Sequence, residues 1–302
     1  MGIKSMKVAY KVSVVICVFN EGRKLLDALR SLCANKIIEQ TEVIIVDDCS
    51  TDPETRRLLT LLTKHTRYHI VCSPVNLGLS HSRNLGFENA STPYVLPLDA
   101  DDTFPPEAID IIYQAFLDHP EAGFIAGNYL LNKPGKNQAT VVDCSMIATN
   151  ELIDIKKLAG HWSLLGTSPC KKATWELVNG YALKYSYSVQ DVDFWIRVLK
   201  KGIIGHYLDQ IIYSWNQSAS GMNMNFDRID MTRLLEDHRD FYRLIYTDHY
   251  VNNAIFEAYY PYKEPDVLMA VGKKYFFQLR PINKLRTIAF FIKTYLTKLS
   301  AL

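Results

Sequence analysis

Over the first hundred residues, short apolar runs alternate with amphipathic ones. Residues 12–18 read Val-Ser-Val-Val-Ile-Cys-Val, a β-branched run too short for a helix, so a buried strand is predicted. Residues 23–33 then place Leu25, Leu26, Leu29 and Leu32 at helical spacing. A second strand is expected at 42–46. Pro53 suits the first turn of a following helix that carries Leu58, Leu59, Leu61 and Leu62. A third strand (68–72), a helix (79–90) and a fourth strand (94–98) come next, and Pro105-Pro106 opens a helix to about residue 117.

This series predicts an α/β fold whose mostly parallel sheet is covered by helices on both faces. Ligands of such sheets bind beyond the carboxyl ends of the strands. Attention therefore falls on Phe19-Asn20-Glu21, Asp47-Asp48, Pro74-Val75-Asn76 and Asp99 to Asp102. After Gly123 the alternation loosens. A turn is expected at 132–138 and irregular chain at 167–171. A helix is expected at 188–200, a strand at 211–215 and a polar loop at 218–225, with helices at 230–246 and 267–278.

Composition changes this picture little. With 302 residues, 48% hydrophobic and 22% charged, the chain can fill one large core and is not a disordered sequence. A net charge of +2 gives no argument for nucleic-acid binding. Six cysteines form no C-x-x-C pair, and several lie in apolar runs, so a reduced, cytoplasmic setting is the simplest expectation. The amino terminus lacks a signal-peptide core, and no apolar stretch approaches the roughly 20 residues of a spanning helix.

Carboxylates from several strand ends would repel one another, and phosphate, unless a divalent cation sat among them. Mg²⁺ or Mn²⁺ takes oxygen ligands and bridges phosphates, and Asp99-Ala100-Asp101-Asp102 after a buried strand suits that use. Glycine-rich phosphate loops are missing: no G-x-G-x-x-G follows the first strand, and no G-x-x-x-x-G-K-[ST] occurs. Arg83, on the helix after the third strand, is then the best-placed cation for a diphosphate.

Four segments, Val18 to Glu21, Val46 to Asp52, Asn76 to Gly86 and Leu98 to Asp102, stand in the order and spacing of glycosyltransferase family 2, and the chain resembles that family from about residue 12 to 215. The resemblance implies a GT-A fold and inverting transfer of a sugar, typically from a UDP-sugar. It implies that Phe19 and Glu21 border the nucleotide and that Asp47 and Asp48 meet the base. It implies that Arg83 contacts base or phosphates, that Asp99 and Ala100 lie by the ribose and that Asp101 and Asp102 hold the metal with Asp99 behind them. Asp191 would be the general base. The acceptor would be a hydroxyl of a glycan or lipid-linked molecule, as in polysaccharide assembly. Two positions depart from the pattern: Gln190 replaces a Glu, and Asn216 stands where relatives carry His, with His161 and His206 as conceivable substitutes.

Blander readings stand beside these. Ser188 and Asp191 have capping-box spacing, the aspartates of each loop suit turns, and Trp162, Trp175 and Trp195 suit a core. A metal-dependent nucleotidyltransferase and a non-catalytic binding protein on the same fold are the alternative functions. The expected division is 1–220 (nucleotide half 1–125, acceptor half 126–220) followed by a helical extension, 221–302. From residue 271 to the end there are seven basic residues and no acidic one, and residues 280–302 place Leu285, Ile288, Ile292, Leu296 and Leu299 at helical spacing. Peripheral contact with the inner face of a membrane is expected there; docking on the protein's own core or a dimer contact is the alternative.

Overall fold

The structure, a computed structural model, describes residues 9–136, 138–185, 188–218, 228–259 and 272–299, with backbone alone for 228–229, 258–259, 290–291 and 293–299. It divides into two compact units, Met1–Met224 and Asn225–Leu302.

The first unit is built on one ten-stranded sheet. Strands β1 (Val12–Val18), β2 (Thr41–Asp47), β3 (Tyr68–Cys72) and β4 (Tyr94–Asp99) pair in parallel in the order β3-β2-β1-β4. The Val, Ile and Leu residues of β1, β2 and β4 are buried on both faces, as expected of a covered parallel sheet, while β3 at the edge is half-buried to exposed. Helices α1 (Lys24–Leu32), α2 (Pro53–Leu62), α3 (Leu79–Asn89) and α4 (Ala108–Asp118) follow these strands. Helix α2 begins as its sequence reads: Asp52 caps it by accepting from the Thr55 amide at 2.7 Å, with Pro53 in the first turn. Helix α4 starts later than its prolines predict. Pro105 accepts from the Ala108 amide to close a turn, and the Asn35 side chain, from another loop, accepts from the Ile109 amide at 2.8 Å.

Beyond residue 123 the chain is more ordered than its pattern. Strand β5 (Phe124–Asn132) runs parallel to the long β10 (Gly205–Asn216), and β6 (Thr140–Val142) pairs with β5. Two short strands, β7 (Ala148–Thr149) and β8 (Leu152–Ile153), extend the far edge. The segment expected to be irregular holds β9 (Cys170–Lys171), which lies antiparallel between β4 and β5 and joins the two halves of the sheet. Helices α5 (Ile155–Gly160), α6 (Lys172–Leu177) and α7 (Gln190–Lys200) cover it. Trp195 packs against Phe124 in the core, and the half-buried Trp175 stacks on Phe87 at its edge.

The second unit is helical: α8 (Arg228–Asp237), α9 (Arg239–Tyr242), α10 (Asp248–Tyr259) and α11 (Pro281–Leu299). The single helix expected over 230–246 breaks at His238. Val251, Ile255, Phe256, Tyr275 and Leu279 form its small core. Most of the polar loop expected at 218–225 lies outside the described residues, as does the start of the helix expected at 267–278. Among the described residues no helix is long and apolar enough to cross a membrane.

Candidate active site

The carboxyl ends of β1, β2 and β4 are adjacent because these strands pair in register, Val18 with Asp47 and Cys17 with Asp99. Two tight turns carry the first loops. Asn20 and Cys49 both adopt left-handed backbone, at φ 60° and 62°. The Asn20 side-chain oxygen accepts from the Thr51 and Asp52 amides, locking the β1 loop to the β2 loop. Phe19 is left exposed at the rim.

Asp47 and Asp48 hold this end of the sheet together. Asp47 accepts from the Ser50 amide at 2.9 Å. Asp48 accepts from the Leu77 amide at 2.9 Å and the Gly78 amide at 2.8 Å. That fixes the entry to α3, where Gly78 takes φ 86° that a side chain would strain. The loop aspartates expected at the base therefore already shape the crevice that would receive it.

Helix α3 delivers Arg83. Its guanidinium is buried, stands over the Tyr181 ring at 5.5 Å, and donates through Nη2 to both Asp99 oxygens at 3.0 and 3.3 Å. Burial alone would lower its pKa; the charge of Asp99 more than reverses that, with Tyr181 and Asp191 adding to it. Among the described residues its Nε and Nη1 have no hydrogen-bond partner. Buried guanidinium donors without partners are rare in a finished core and are satisfied by an anion or a carbonyl oxygen.

The acidic turn divides its labour. Asp102 is buried, accepts from the Tyr213 hydroxyl at 2.8 Å and from the Asn216 amide at 2.6 Å, and so ties the turn to β10. The same Tyr213 oxygen accepts from the Asp99 amide at 3.2 Å. Asn216 adds a bond from its side-chain amide to the Asp101 carbonyl at 2.9 Å. The residue that departs from the family pattern is thus a tether for the acidic turn. His206 does not substitute for it: it sits at the other end of β10, stacked on His119.

Asp101 faces Lys24 Nζ at 3.8 Å, while Lys24 bonds Glu21 at 2.8 Å. Burial first, then the charges of Asp99 and Glu21, push its carboxyl up to about 6. Burial and Asp99 also raise Asp102. Among the described residues the carboxylates Glu21, Asp99, Asp101 and Asp102 are met by two cations, Arg83 and Lys24, an excess of acidic groups that a divalent cation would relieve. Among the described residues no three His, Cys, Asp or Glu side chains form a ready cage. A Mg²⁺ or Mn²⁺ ion that takes phosphate oxygens and water into its shell needs no such cage.

Asp191 reaches the site from α7. The helix starts at Gln190 and its cap is Val189, with φ 51° and no capping bond from its own side chain, so Ser188 does not occupy the cap position that the capping box requires. A β-branched residue in left-handed backbone is strained, by about 1–3 kcal/mol. Asp191 packs on Gly166, where an added Cβ would come within 2.2 Å of its carboxylate oxygen. Its charge acts on both Arg83 and Tyr181. Gln190 is buried, and its Oε1 has no partner among the described residues.

The tether can be tested directly. Tyr213→Phe leaves Asp102 one donor short in a buried setting, and thermal unfolding should show a loss of about 1–3 kcal/mol. Wild-type stability in this variant would mean that Tyr213 does not anchor the turn.

A sheet with parallel long strands, an acidic turn after its fourth strand and a buried arginine beside that turn defines a GT-A-type α/β domain. Within that class the chain carries a glycosyltransferase family 2 domain: residues 13–160 match the model of Glycosyl transferase family 2. Over 104 residues it is 35% identical to the cholesterol galactosyltransferase of Borreliella burgdorferi, covering 34% of this chain and 28% of that protein. It is 28% identical over 168 residues to the poly-beta-1,6-N-acetyl-D-glucosamine synthase of Staphylococcus epidermidis, covering 53% and 40%. These matches span less than half the length of either relative. In fold it is similar to S. aureus TarS 1-349 in complex with UDP-GlcNAc, with TM-score 0.65, 17% identity and coverage of 94% of this chain and 89% of that one.

Proposed function

We propose that this protein is an inverting glycosyltransferase that moves a sugar from a nucleoside-diphosphate sugar, in first place a UDP-sugar, to a hydroxyl of a glycan or lipid-linked acceptor. The observation that carries the reading is the convergence on Arg83. Asp99 from β4 and Asp191 from α7 both act on a buried guanidinium that keeps unpartnered donors. The UDP-GlcNAc complex of the structural neighbour and the sugar transferases among the relatives support the donor class.

In this reading Asp47 and Asp48 shape the base crevice and Arg83 offers Nε–H and Nη1–H to the donor. Asp101 is the protein ligand of a Mn²⁺ or Mg²⁺ ion, which when bound offsets the charge that develops on the departing diphosphate. Asp102, expected as a second ligand, also fixes the turn so that Asp101 keeps its place. Asp191 accepts the proton of the acceptor hydroxyl while that oxygen bonds to the anomeric carbon and the bond from carbon to phosphate oxygen breaks. One in-line displacement inverts the centre and leaves no covalent intermediate.

The test is release of nucleoside diphosphate from a panel of nucleotide sugars, with Mn²⁺ or Mg²⁺ and with chelator. Metal-dependent release from a UDP-sugar, stimulated by an acceptor, is expected. Turnover that persists in chelator would remove the metal from the reading. Failure to bind any nucleotide sugar would favour a non-catalytic partner-binding role, and nucleotide transfer in place of sugar transfer would favour a nucleotidyltransferase.

A further inference from the structure

Helix α11 is amphipathic in an inverted sense. Among its described side chains the inward ones are polar: Asn283 and Thr287 are fully or almost fully buried. The Asn283 side-chain amide donates to Asn253 Oδ1 at 2.9 Å and to Glu257 Oε1 at 3.0 Å, both on α10, and Asn253 Oδ1 also accepts from the Arg280 amide at 2.8 Å. Its outward side is apolar. Ile282, Leu285, Ile288 and Ile292 are exposed, Leu285 by 62% and Ile292 by 55%, and Phe277, in the turn before the helix, is 90% exposed. At about 100° per residue these helical positions fill an arc of roughly 120°, and Lys284 and Arg286 fall about 40° beyond its two edges.

An ordinary surface helix turns its apolar stripe to its own core. Here polar hydrogen bonds hold the helix to α10, so the stripe is left facing out. We propose that this face rests on an anionic lipid surface, with the apolar arc in the boundary between headgroups and acyl chains and the flanking basic residues at phosphate level. Charge selects this occupant. The 32 residues from 271 to 302 include seven basic side chains and no acidic one. A symmetric contact with a second copy would bring Lys284 and Arg286 of both copies together with no carboxylate in the segment to offset them. Some of the basic residues are engaged within the unit, Lys274 with Glu236 at 3.6 Å and Arg286 with the Asn283 side-chain oxygen at 3.2 Å, while Lys284 flanks the stripe on its other edge. The inference is independent of the sugar-transfer reading, because it uses none of the residues of that site.

The test is co-flotation of the full-length protein with vesicles of equal parts phosphatidylcholine and phosphatidylglycerol, against vesicles of phosphatidylcholine alone. Binding is expected to the anionic vesicles, weakening as salt is raised. Leu285→Gln/Ile288→Gln, which changes two exposed positions, should weaken it by at least about tenfold. Lys284→Gln should weaken it by about fivefold, the worth of one basic residue near such a surface. Helix content by circular dichroism is expected to be unchanged in both variants. Equal binding to the two vesicle types, insensitivity to salt, or wild-type binding by the double variant would each overturn the proposal. So would a wild-type dimer that becomes monomeric in the double variant, since the face would then join two copies.

Discussion

Asp101→Asn is expected to lower metal-dependent turnover by about 10²–10³-fold, the range for losing one group that stabilises charge developing in the transition state. The same change should stabilise the ligand-free protein. Asp101 sits half-buried beside Asp99 and Glu21, and its carboxyl is raised from 3.8 to about 6. Between those values the folded chain holds a proton that the unfolded chain has released. Folding stability from this group therefore falls as pH rises from about 4 through 6, and the ionised Asp101 is a net cost at neutral pH. Asparagine removes that cost. At pH 7 without metal the variant should melt about 2–4 °C above the wild type, which corresponds to ~1 kcal/mol in a chain of this size. Mn²⁺ with UDP should then raise the wild-type midpoint and leave the variant nearly unmoved. A variant that melts lower than the wild type without metal, or that transfers normally, would show that Asp101 is a structural turn residue. For the wild type, metal-dependent donor binding should weaken as pH falls through about 6, because the protonated carboxyl is a poor ligand.

What the sequence made legible was the half of the domain whose periodicity is simple. Strands β1 and β2 are β-branched runs and β4 is a short apolar one, and the ends of β2 and β4 carry the aspartates where a parallel sheet must place them. What it hid lies after residue 123. Strand β5 reads Phe-Ile-Ala-Gly-Asn-Tyr-Leu-Leu-Asn, and the Gly127-Asn128 pair looks like a turn. In the fold Asn128 is a core residue, because its side-chain oxygen accepts from the Cys144 amide at 2.8 Å and the Tyr207 hydroxyl at 3.0 Å. Both partners are distant in sequence, so no local pattern announces them. The same holds for Asp102. D-x-D-D spacing makes all its aspartates look alike, and only the approach of Tyr213 and Asn216 from β10 turns one of them into a tether. At Asp191 the sequence misled in another way. Ser188 and Asp191 have capping-box spacing, yet the left-handed Val189 starts the helix one residue later, and the charge of Asp191 in its first turn acts on Arg83.

That geometry makes Asp191→Asn the sharpest test of the proposed chemistry. Asparagine keeps the size of the side chain and the helix start, but cannot take the acceptor's proton. Transfer should fall by about 10²–10⁴-fold, with affinity for the nucleotide sugar close to wild type. A loss of donor affinity in place of a loss of rate would mean that Asp191 acts through Arg83 as a positioning residue. Gly166→Ala separates the two roles further, since the added methyl would fall 2.2 Å from an Asp191 oxygen and must displace it. No substrate group is removed by that change, and Asp101, Asp99 and Arg83 are left as they are. If Asp191 is the base, Gly166→Ala lowers the rate of transfer while metal-dependent donor binding persists, because proton transfer depends on sub-ångström placement of the accepting oxygen. If transfer survives both substitutions, the proton leaves by another route, and Asp191 serves to set the charge around Arg83.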